Sequence, residues 1–192
     1  MSPNKYLEAL RTHWKANKSF PSMAKLADVL GLASSGSVFK VLGRLVDQGF
    51  LERVDGRMAP TNKFFALPVL GSVRPGRPQP EDQSAGQELV GVEDFLVQHP
   101  ERTVYWRARG DSMKDAGILD NDMLVVERNT PTKPGDIVVA VVDNEMTVKH
   151  LFPVVHGGWV LKAANPAYPD ITAKASLEVF GVVTGVFRRF DR

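Results

Sequence analysis

The hydrophobic pattern of this chain changes across one stretch rich in proline and glycine, residues 66–88. Before it, apolar residues recur every three or four positions, which is the spacing of amphipathic helices. After it, short apolar runs alternate with Gly, Pro and Asn turns, which is typical of β-strands. Pro68, Pro75, Pro78 and Pro80 lie within the stretch, and neither pattern continues through them. The sequence therefore predicts an α+β multidomain protein with a loop-rich linker.

Three helices and a hairpin are predicted before this linker. We expect Ser22 to be the N-cap of the second helix and Gly31 to end it. Asp55-Gly56 is typical of a two-residue hairpin turn. This order of elements is that of a winged helix-turn-helix, whose third helix enters the major groove of DNA. The three apolar stripes are Leu7, Leu10 and Trp14; Met23, Leu26, Ala27 and Leu30; and Val38, Val41, Leu42, Leu45 and Val46.

The charge balance differs between the two parts of the chain. Residues 1–66 hold 10 Lys/Arg and 5 Asp/Glu, whereas residues 67–192 hold 14 and 17. A basic N-terminal part favours contact with a polyanion, although ordinary charge scatter also produces a difference of this size. Contacts to phosphates and base edges are expected from the third helix and the hairpin. The candidate DNA-binding residues are Ser34, Ser35, Ser37, Lys40 and Arg44 in the helix, and Arg53 and Arg57 in the hairpin.

A purely structural interpretation stays open for each of these residues. Ser34 or Ser35 can serve only as the N-cap of the helix. Lys40 and Arg44 can form only a solvated helix face. For the element as a whole we favour DNA binding, because the layout and the charge agree.

Six strands are predicted after the linker. Asp143-Asn144 has the composition of a hairpin turn between two of them. Many short strands separated by turns predict a compact, barrel-like mixed sheet. The predicted strands are Thr103–Ala108, Met123–Glu127, Asp136–Val142, Glu145–Leu151, Trp159–Ala163 and Leu177–Phe190.

Ser112 and Lys149 are the candidate catalytic residues of this β-rich part. Ser112 opens a turn after an apolar run, and Lys149 lies within a strand, on the same face as Thr147 and Leu151. A buried lysine has a lowered pKa and can take a proton from a serine hydroxyl. The backbone N–H groups of Ser112 and Met113 are candidates for an oxyanion hole. The alternative is that Lys149 is a surface lysine with its stem along the sheet.

Several motifs, in this order, resemble the LexA/UmuD-type self-cleaving serine peptidases. The resemblance runs from Leu67 to about Arg189, and the first third also resembles the DNA-binding domain of LexA. It implies a nucleophilic Ser112 that attacks its own chain, with Lys149 as general base. Asp111 is then expected to be a turn former and not a triad acid. The motifs are Arg109-Gly110-Asp111-Ser112-Met113, Gly117-Ile118-Leu119-Asp120-Asn121-Asp122, Pro134-Gly135-Asp136-Ile137-Val138, Thr147-Val148-Lys149 and Asn165-Pro166-Ala167-Tyr168.

The resemblance also implies a domain plan and a cleavage site. Residues 1–66 correspond to the winged helix-turn-helix, residues 67–88 to the cleaved linker, and residues 89–192 to a mostly-β Ser-Lys peptidase and dimerisation domain. By position the scissile bond is Pro75–Gly76, where the family has Ala or Cys before the glycine. Ala85–Gly86 is the second choice, with suitable residues at another offset. If the Pro75 ring does not fit the pocket that takes the small Ala or Cys side chain in the family, cleavage is expected to be slow or absent.

The function implied by the resemblance is that of a transcriptional repressor of the DNA-damage (SOS) response. Such a protein binds double-stranded operator DNA as a homodimer. It then inactivates itself with a RecA filament on single-stranded DNA as co-protease. Two alternatives stay open. One is a UmuD-like accessory protein of a translesion polymerase with an added DNA-binding head, and the other is a DNA-binding regulator with a silent peptidase domain.

Other kinds of site find little support in the sequence. The chain has no cysteine, which excludes disulfides and thiolate metal sites. The four histidines are scattered, and turn chemistry accounts for Asp115, Asp120 and Asp122. We therefore expect no metal and no cofactor. No apolar run reaches the roughly 18 residues of a membrane span, and Met1–Tyr6 resembles no secretory signal. We therefore expect no membrane partner. The expected location is the cytoplasm, for a bacterial or phage-encoded protein.

Overall fold

The computed structural model describes residues 3–71, 88–155, 157–173 and 175–190. It divides the chain into two compact units, Met1–Phe95 and Leu96–Arg192. The first unit is mainly helical and the second is built on one β-sheet. The α+β class predicted from the sequence is confirmed. The division falls after Phe95, and the short strand after residues 72–87 pairs within the first unit.

Three helices form the first unit's core: α1 (Pro3–Asn17), α2 (Met23–Leu30) and α3 (Ser35–Asp47). Ser22 is the N-cap residue of α2, but its side chain makes no capping hydrogen bond, and Gly31 ends the helix at φ 63°. The predicted apolar stripes face inward, with the exception of Met23, which is exposed at the start of α2. The buried residues are Leu7, Leu10, Leu26, Leu30, Val38, Val41, Leu42, Leu45, Leu51 and Phe64.

A hairpin follows α3, formed by β1 (Leu51–Val54) and β2 (Arg57–Pro60). Asp55 and Gly56 both have positive φ angles, 50° and 75°, as a tight hairpin turn of this type requires. The next helix, α4 (Asn62–Phe65), was not predicted, because four residues are too few to show a helical period. It carries the fully buried Phe64, which closes the core over α1.

The last elements of the first unit border the linker. The strands β3 (Leu67–Val69) and β4 (Glu88–Val90) form an antiparallel pair. Val69 and Glu88, which flank residues 70–87, therefore lie next to each other. The short helix α5 (Val92–Leu96) follows. No single helix in the described ranges is both long and apolar enough to cross a membrane, and only the bent pair α2–α3 matches by combined length and composition.

The second unit contains a six-stranded sheet in the order β5-β6-β10-β7-β8-β9. Every pair in it is antiparallel. The prediction of a mixed sheet was therefore wrong, because every strand here runs opposite to the strands beside it, including the pair joined by the long connection 108–122. The strands are β5 (Thr103–Arg107), β6 (Met123–Glu127), β7 (Ile137–Val142), β8 (Glu145–Pro153), β9 (Trp159–Lys162) and β10 (Leu177–Phe187).

The long strand β10 joins the two halves of this sheet. It pairs with β6 on one side and β7 on the other, and its register shifts near Gly181 and Gly185. A Cβ on Gly181 would lie 2.8 Å from the Glu127 carbonyl oxygen, so this close approach requires glycine. The β7–β8 hairpin turns at Asp143 and Asn144, with φ angles of 49° and 71°. This hairpin sets the position of Lys149 on β8, opposite Val138 of β7.

Candidate active site

Ser112 is held in a loop whose base is closed by hydrogen bonds. The Ala108 N–H donates to the Asp122 carbonyl at 2.8 Å, and the Asn121 N–H donates back to Ala108 at 3.0 Å. Inside the loop, the Gly110 N–H donates to Asp120 Oδ1 at 2.8 Å. A short 3₁₀ helix, Lys114–Ala116, follows the serine. Residues 108–122, called the serine loop below, thus form a closed and internally bonded turn.

The structure brings the two predicted catalytic side chains together. Lys149 Nζ lies 2.8 Å from Ser112 Oγ, which is hydrogen-bond distance. The same nitrogen lies 3.1 Å from Thr147 Oγ1 and 2.9 Å from the Val148 carbonyl oxygen. Thr147 shares the strand face of Lys149, as the predicted alternation requires. Two oxygens of β8 therefore hold the amine and direct it at the serine.

Lys149 is buried: its relative exposure is 5%. Burial lowers the pKa of Lys149, because removal from water disfavours the ammonium form. None of the described ion pairs supplies a carboxylate to this amine. The interpretation as a surface lysine does not fit this position. The arrangement favours a neutral amine, which can accept the proton of the serine hydroxyl.

The predicted oxyanion donors are available next to the Ser112 side chain. No backbone hydrogen bond within the described ranges uses the N–H of Ser112 or Met113. The Met113 side chain is buried in the core with Ile118 and Leu124, so its contribution there is packing. This packing fixes the peptide units on both sides of Met113, and free N–H groups on a fixed backbone are what an oxyanion site needs.

Asp111 makes contacts beyond the turn that its sequence predicts. Its carbonyl closes the expected turn by accepting the Lys114 N–H at 3.2 Å. Asn165 Nδ2 also donates to this carbonyl, at 3.1 Å, and to the Asp111 carboxylate at 3.2 Å. Tyr168 donates its hydroxyl proton to the other carboxylate oxygen at 2.5 Å. This bond lowers the pKa of Asp111 and raises the pKa of Tyr168.

Asn165 and Tyr168 were thus missed as site residues. Asn165 is buried and is itself held by the Ala167 N–H, which donates to Asn165 Oδ1 at 3.0 Å. Asn165 and Tyr168 together hold Asp111, the residue directly before Ser112. The one signal for them in the sequence is the motif Asn165–Tyr168. This motif contributes to the family resemblance, but it does not indicate a contact with Asp111.

A buried ion pair supports the other end of the serine loop. Asp122 is 2% exposed and accepts the Leu119 N–H at 2.8 Å. Arg188, just after β10, donates from Nη2 to Asp122 at 2.8 Å and to the Gly117 carbonyl at 2.7 Å. Asp120 and Asp122 therefore accept backbone N–H groups in turns, as expected. Within the described ranges no group of three or more His, Cys, Asp or Glu could hold a metal ion.

A cleft of about 250 Å³ opens beside the serine. Its walls come from the end of β5, the serine loop and β8, and they are mostly apolar. A cleft of this kind can take an extended segment with small or apolar side chains. The side chains that line it next to Ser112 include Trp106, Ala108, Met113, Ile118, Leu124, Val139 and Met146. The candidate cleavage residues Pro75, Gly76, Ala85 and Gly86 lie outside the described residues.

The predicted DNA-contacting residues fall into two groups in the structure. Ser34 caps α3, because its Oγ accepts the Ser37 N–H at 3.2 Å and lies 2.9 Å from Ser37 Oγ. Ser34 therefore serves as the N-cap of α3, which is the structural alternative given above. The hydroxyl of Ser37 is also occupied, because it lies at hydrogen-bond distance from the Ser34 hydroxyl. The remaining candidates are exposed on α3 and the hairpin: Ser35, Lys40, Arg44, Arg53 and Arg57.

Comparison with known proteins is consistent with this site. Residues 68–184, more than half of the chain, match the family described as peptidase S24-like. A LexA repressor of Opitutus terrae is 34% identical over 90% of this chain and 88% of its own length. A LexA repressor of Caldicellulosiruptor saccharolyticus is 33% identical over 95% and 94%. For LexA repressor 1 of Xanthomonas campestris pv. campestris the identity is 33%, over 88% of both chains. The chain therefore belongs to the S24-like peptidase family and groups with its LexA-like members.

Proposed function

We propose that this protein is a transcriptional repressor that binds operator DNA and ends repression by cutting its own linker. The observation that carries the proposal is the 2.8 Å contact between Ser112 Oγ and the buried amine of Lys149. A serine beside an exposed, charged lysine would have no base. Here the amine is buried, lies beside the Thr147 hydroxyl and the Val148 carbonyl oxygen, and points at the Ser112 hydroxyl. The LexA-like relatives cover the helical unit as well as the β-rich one, which supports a DNA-binding regulator over an isolated peptidase.

The chemistry proceeds in two balanced steps. The neutral Lys149 amine takes the Ser112 proton while Oγ attacks the carbonyl carbon of Pro75. The tetrahedral oxyanion is stabilised by the N–H groups of Ser112 and Met113. As the C–N bond breaks, the Lys149 ammonium returns the proton to the Gly76 nitrogen. Water, deprotonated by the same amine, then hydrolyses the ester to release Ser112 and a Pro75 carboxylate.

Pro75–Gly76 is the proposed scissile bond, and Ala85–Gly86 is the alternative. The nitrogen of the first bond belongs to Gly76, so the bond is an ordinary secondary amide. Pro75 nevertheless fixes its own φ angle and restricts Arg74 to extended conformations. An extended strand is the form that a cleft bordered by β8 accommodates. We therefore expect cleavage at Pro75–Gly76 to be slow and not absent.

Mass spectrometry after alkaline incubation tests the reaction directly. The purified full-length chain should convert into two fragments whose masses locate the cut bond. The Ser112→Ala and Lys149→Met variants should stay intact under the same conditions. Cleavage that persists in Ser112→Ala would refute the nucleophile. An intact wild-type chain at every pH would leave a DNA-binding regulator with a silent peptidase.

The DNA-binding part of the proposal rests on α3 and the β1–β2 hairpin, which we propose act as the recognition helix and wing of a winged helix-turn-helix. Lys40 and Arg44 on α3 contact phosphates and base edges, and Arg53 and Arg57 contact the backbone from the wing. We propose that two copies, joined through their β-rich units, occupy a two-fold operator. By resemblance to the family, the trigger is a RecA filament on single-stranded DNA, and the regulated response is the SOS response. The polymerase-accessory alternative is not favoured, because the similar LexA repressors match the helical head as well.

A further inference from the structure

The exposed face of α3 carries an aromatic ring that the proposed function has not used. Phe39 is 54% exposed. It belongs neither to the apolar core of its unit nor to the partly buried residues packed against that core. Among the described residues its ring has no aromatic partner. Phe39 lines a surface groove together with other apolar side chains, and an apolar patch of this kind can contact a binding partner.

The helix that carries Phe39 also carries exposed cations and open surface. Lys40 and Arg44 are exposed on the same helix. At Gly36 and Gly43, one turn before and after the ring, an added Cβ would meet no described atom within 4 Å. At Gly36 and Gly43 no side chain projects from the helix, so a partner can approach the helix backbone closely on both sides of Phe39.

A groove runs from Phe39 to the hairpin. Arg53 and Arg57 line it together with apolar groups such as Met23 and Met58, and no acidic residue lines it. An occupant must therefore be anionic and must also offer an apolar group to the ring. A second copy of the same surface would place arginine against arginine, which is repulsive. Double-stranded DNA meets both conditions, because thymine alone among its four bases presents a methyl group in the major groove.

We infer that Phe39 is a specificity-determining residue that contacts the C5-methyl group of thymine in the operator. This inference rests on the proposed DNA-binding function and adds the base that the helix reads. Arg53 and Arg57 attach the protein to phosphates, and Lys40 and Arg44 contact phosphates and the polar edges of bases. Phe39 adds an apolar contact that discriminates thymine from the other bases. The operator half-site is therefore expected to contain at least one required thymine.

The experiment compares thymine with deoxyuridine, which lacks only the methyl group. Binding sites are first selected from random duplexes with the full-length Ser112→Ala chain, so that the protein stays intact. Each thymine of the selected site is then replaced by deoxyuridine in turn. At one or two positions per half-site we expect a loss of affinity of about fourfold, the value of one buried methyl group. In Phe39→Ala the same replacement should have no effect, whereas Phe39→Leu should retain part of it.

Phe95→Ala, which truncates an exposed phenylalanine outside α3 and the hairpin, is the matched control and should keep the full deoxyuridine effect. Equal deoxyuridine effects in wild type and Phe39→Ala would overturn the inference. Equal weakening of all sequences by Phe39→Ala would overturn it as well, and so would a change of oligomeric state in that variant. If no sequence is enriched and no duplex binds, the proposed function itself fails.

Discussion

At the scale of single residues, the charge state of Lys149 governs the proposed reaction. The amine is active only when neutral, and burial lowers its pKa. The cleavage rate should therefore rise with pH and level off once the pH exceeds the folded-state pKa of Lys149. This plateau should begin at a lower pH than the pKa of a free lysine. Cleavage is measured as the first-order loss of intact chain across a pH series. A rate that is constant from neutral to alkaline pH would remove Lys149 from the role of base.

Lys149 also makes a prediction about stability. Its folded-state pKa is lower than its unfolded-state pKa, so the unfolded chain binds the extra proton as the pH falls. As the pH falls from the unfolded-state pKa to the folded-state pKa, the free energy of unfolding therefore decreases. At a pH below the folded-state pKa this decrease is complete. Lys149→Met should raise it at neutral pH by roughly 1–2 kcal/mol, measured by denaturant unfolding. The exposed Lys133 provides the control, since Lys133→Met should change nothing, and an equal gain in both variants would contradict the argument.

At the scale of elements, the serine loop is positioned by its neighbours from the segment after β9. Asn165 binds the carbonyl directly before Ser112, so its loss should misplace both the nucleophile and the oxyanion donors. We expect Asn165→Ala to slow cleavage by about 10- to 100-fold, with the pH midpoint unchanged. Tyr168→Phe should have a smaller effect, because Asn165 still holds Asp111. Rate–pH profiles of both variants provide the measurement, and a shifted midpoint would mean that the network acts on Lys149.

The Arg188–Asp122 pair gives a second prediction for this loop. Removing Arg188 leaves the buried Asp122 carboxylate with only a backbone donor. Arg188→Ala should therefore reduce the free energy of unfolding by about 3 kcal/mol. Arg188→Lys keeps the charge and should lose less. The double variant Arg188→Ala, Asp122→Ala should be less damaged than the two single effects added together, and strict additivity in denaturant unfolding would show that the pair is not coupled.

Local patterns were sufficient to predict most elements of this chain. A short apolar run predicted β6, and turn chemistry predicted the hairpins at Asp55-Gly56 and Asp143-Asn144. The antiparallel strand order, with β10 bridging β6 and β7, was not predictable because pairing between distant strands leaves no periodic signal. Asn165 and Tyr168 were missed as site residues for the same reason. They reach Asp111 across more than fifty residues, and nothing in their local sequence indicates that contact.

At the scale of the whole molecule, the exposed cations of the first unit should set the salt dependence of DNA binding. Each phosphate contact contributes about 0.9 to the slope of log affinity against log salt. Replacing Arg53 and Arg57 by Gln should therefore lower the magnitude of that slope by about 2. The affinity of the full-length chain for a selected duplex is measured across a salt series. An unchanged slope would remove the hairpin from the interface.

The linker couples the two proposed activities, because a cut there should separate DNA contacts from dimerisation. In the intact dimer, binding of one head places the second head near the other half-site at a high effective concentration. After cleavage at Pro75–Gly76 each head binds alone, and this advantage is lost. We expect the cleaved protein to bind a two-fold operator about 100-fold or more weakly than the Ser112→Ala chain. On a single half-site the two proteins should bind alike. Filter binding or fluorescence anisotropy with both duplexes measures this, and equal operator affinity before and after cleavage would show that cutting the linker does not end repression.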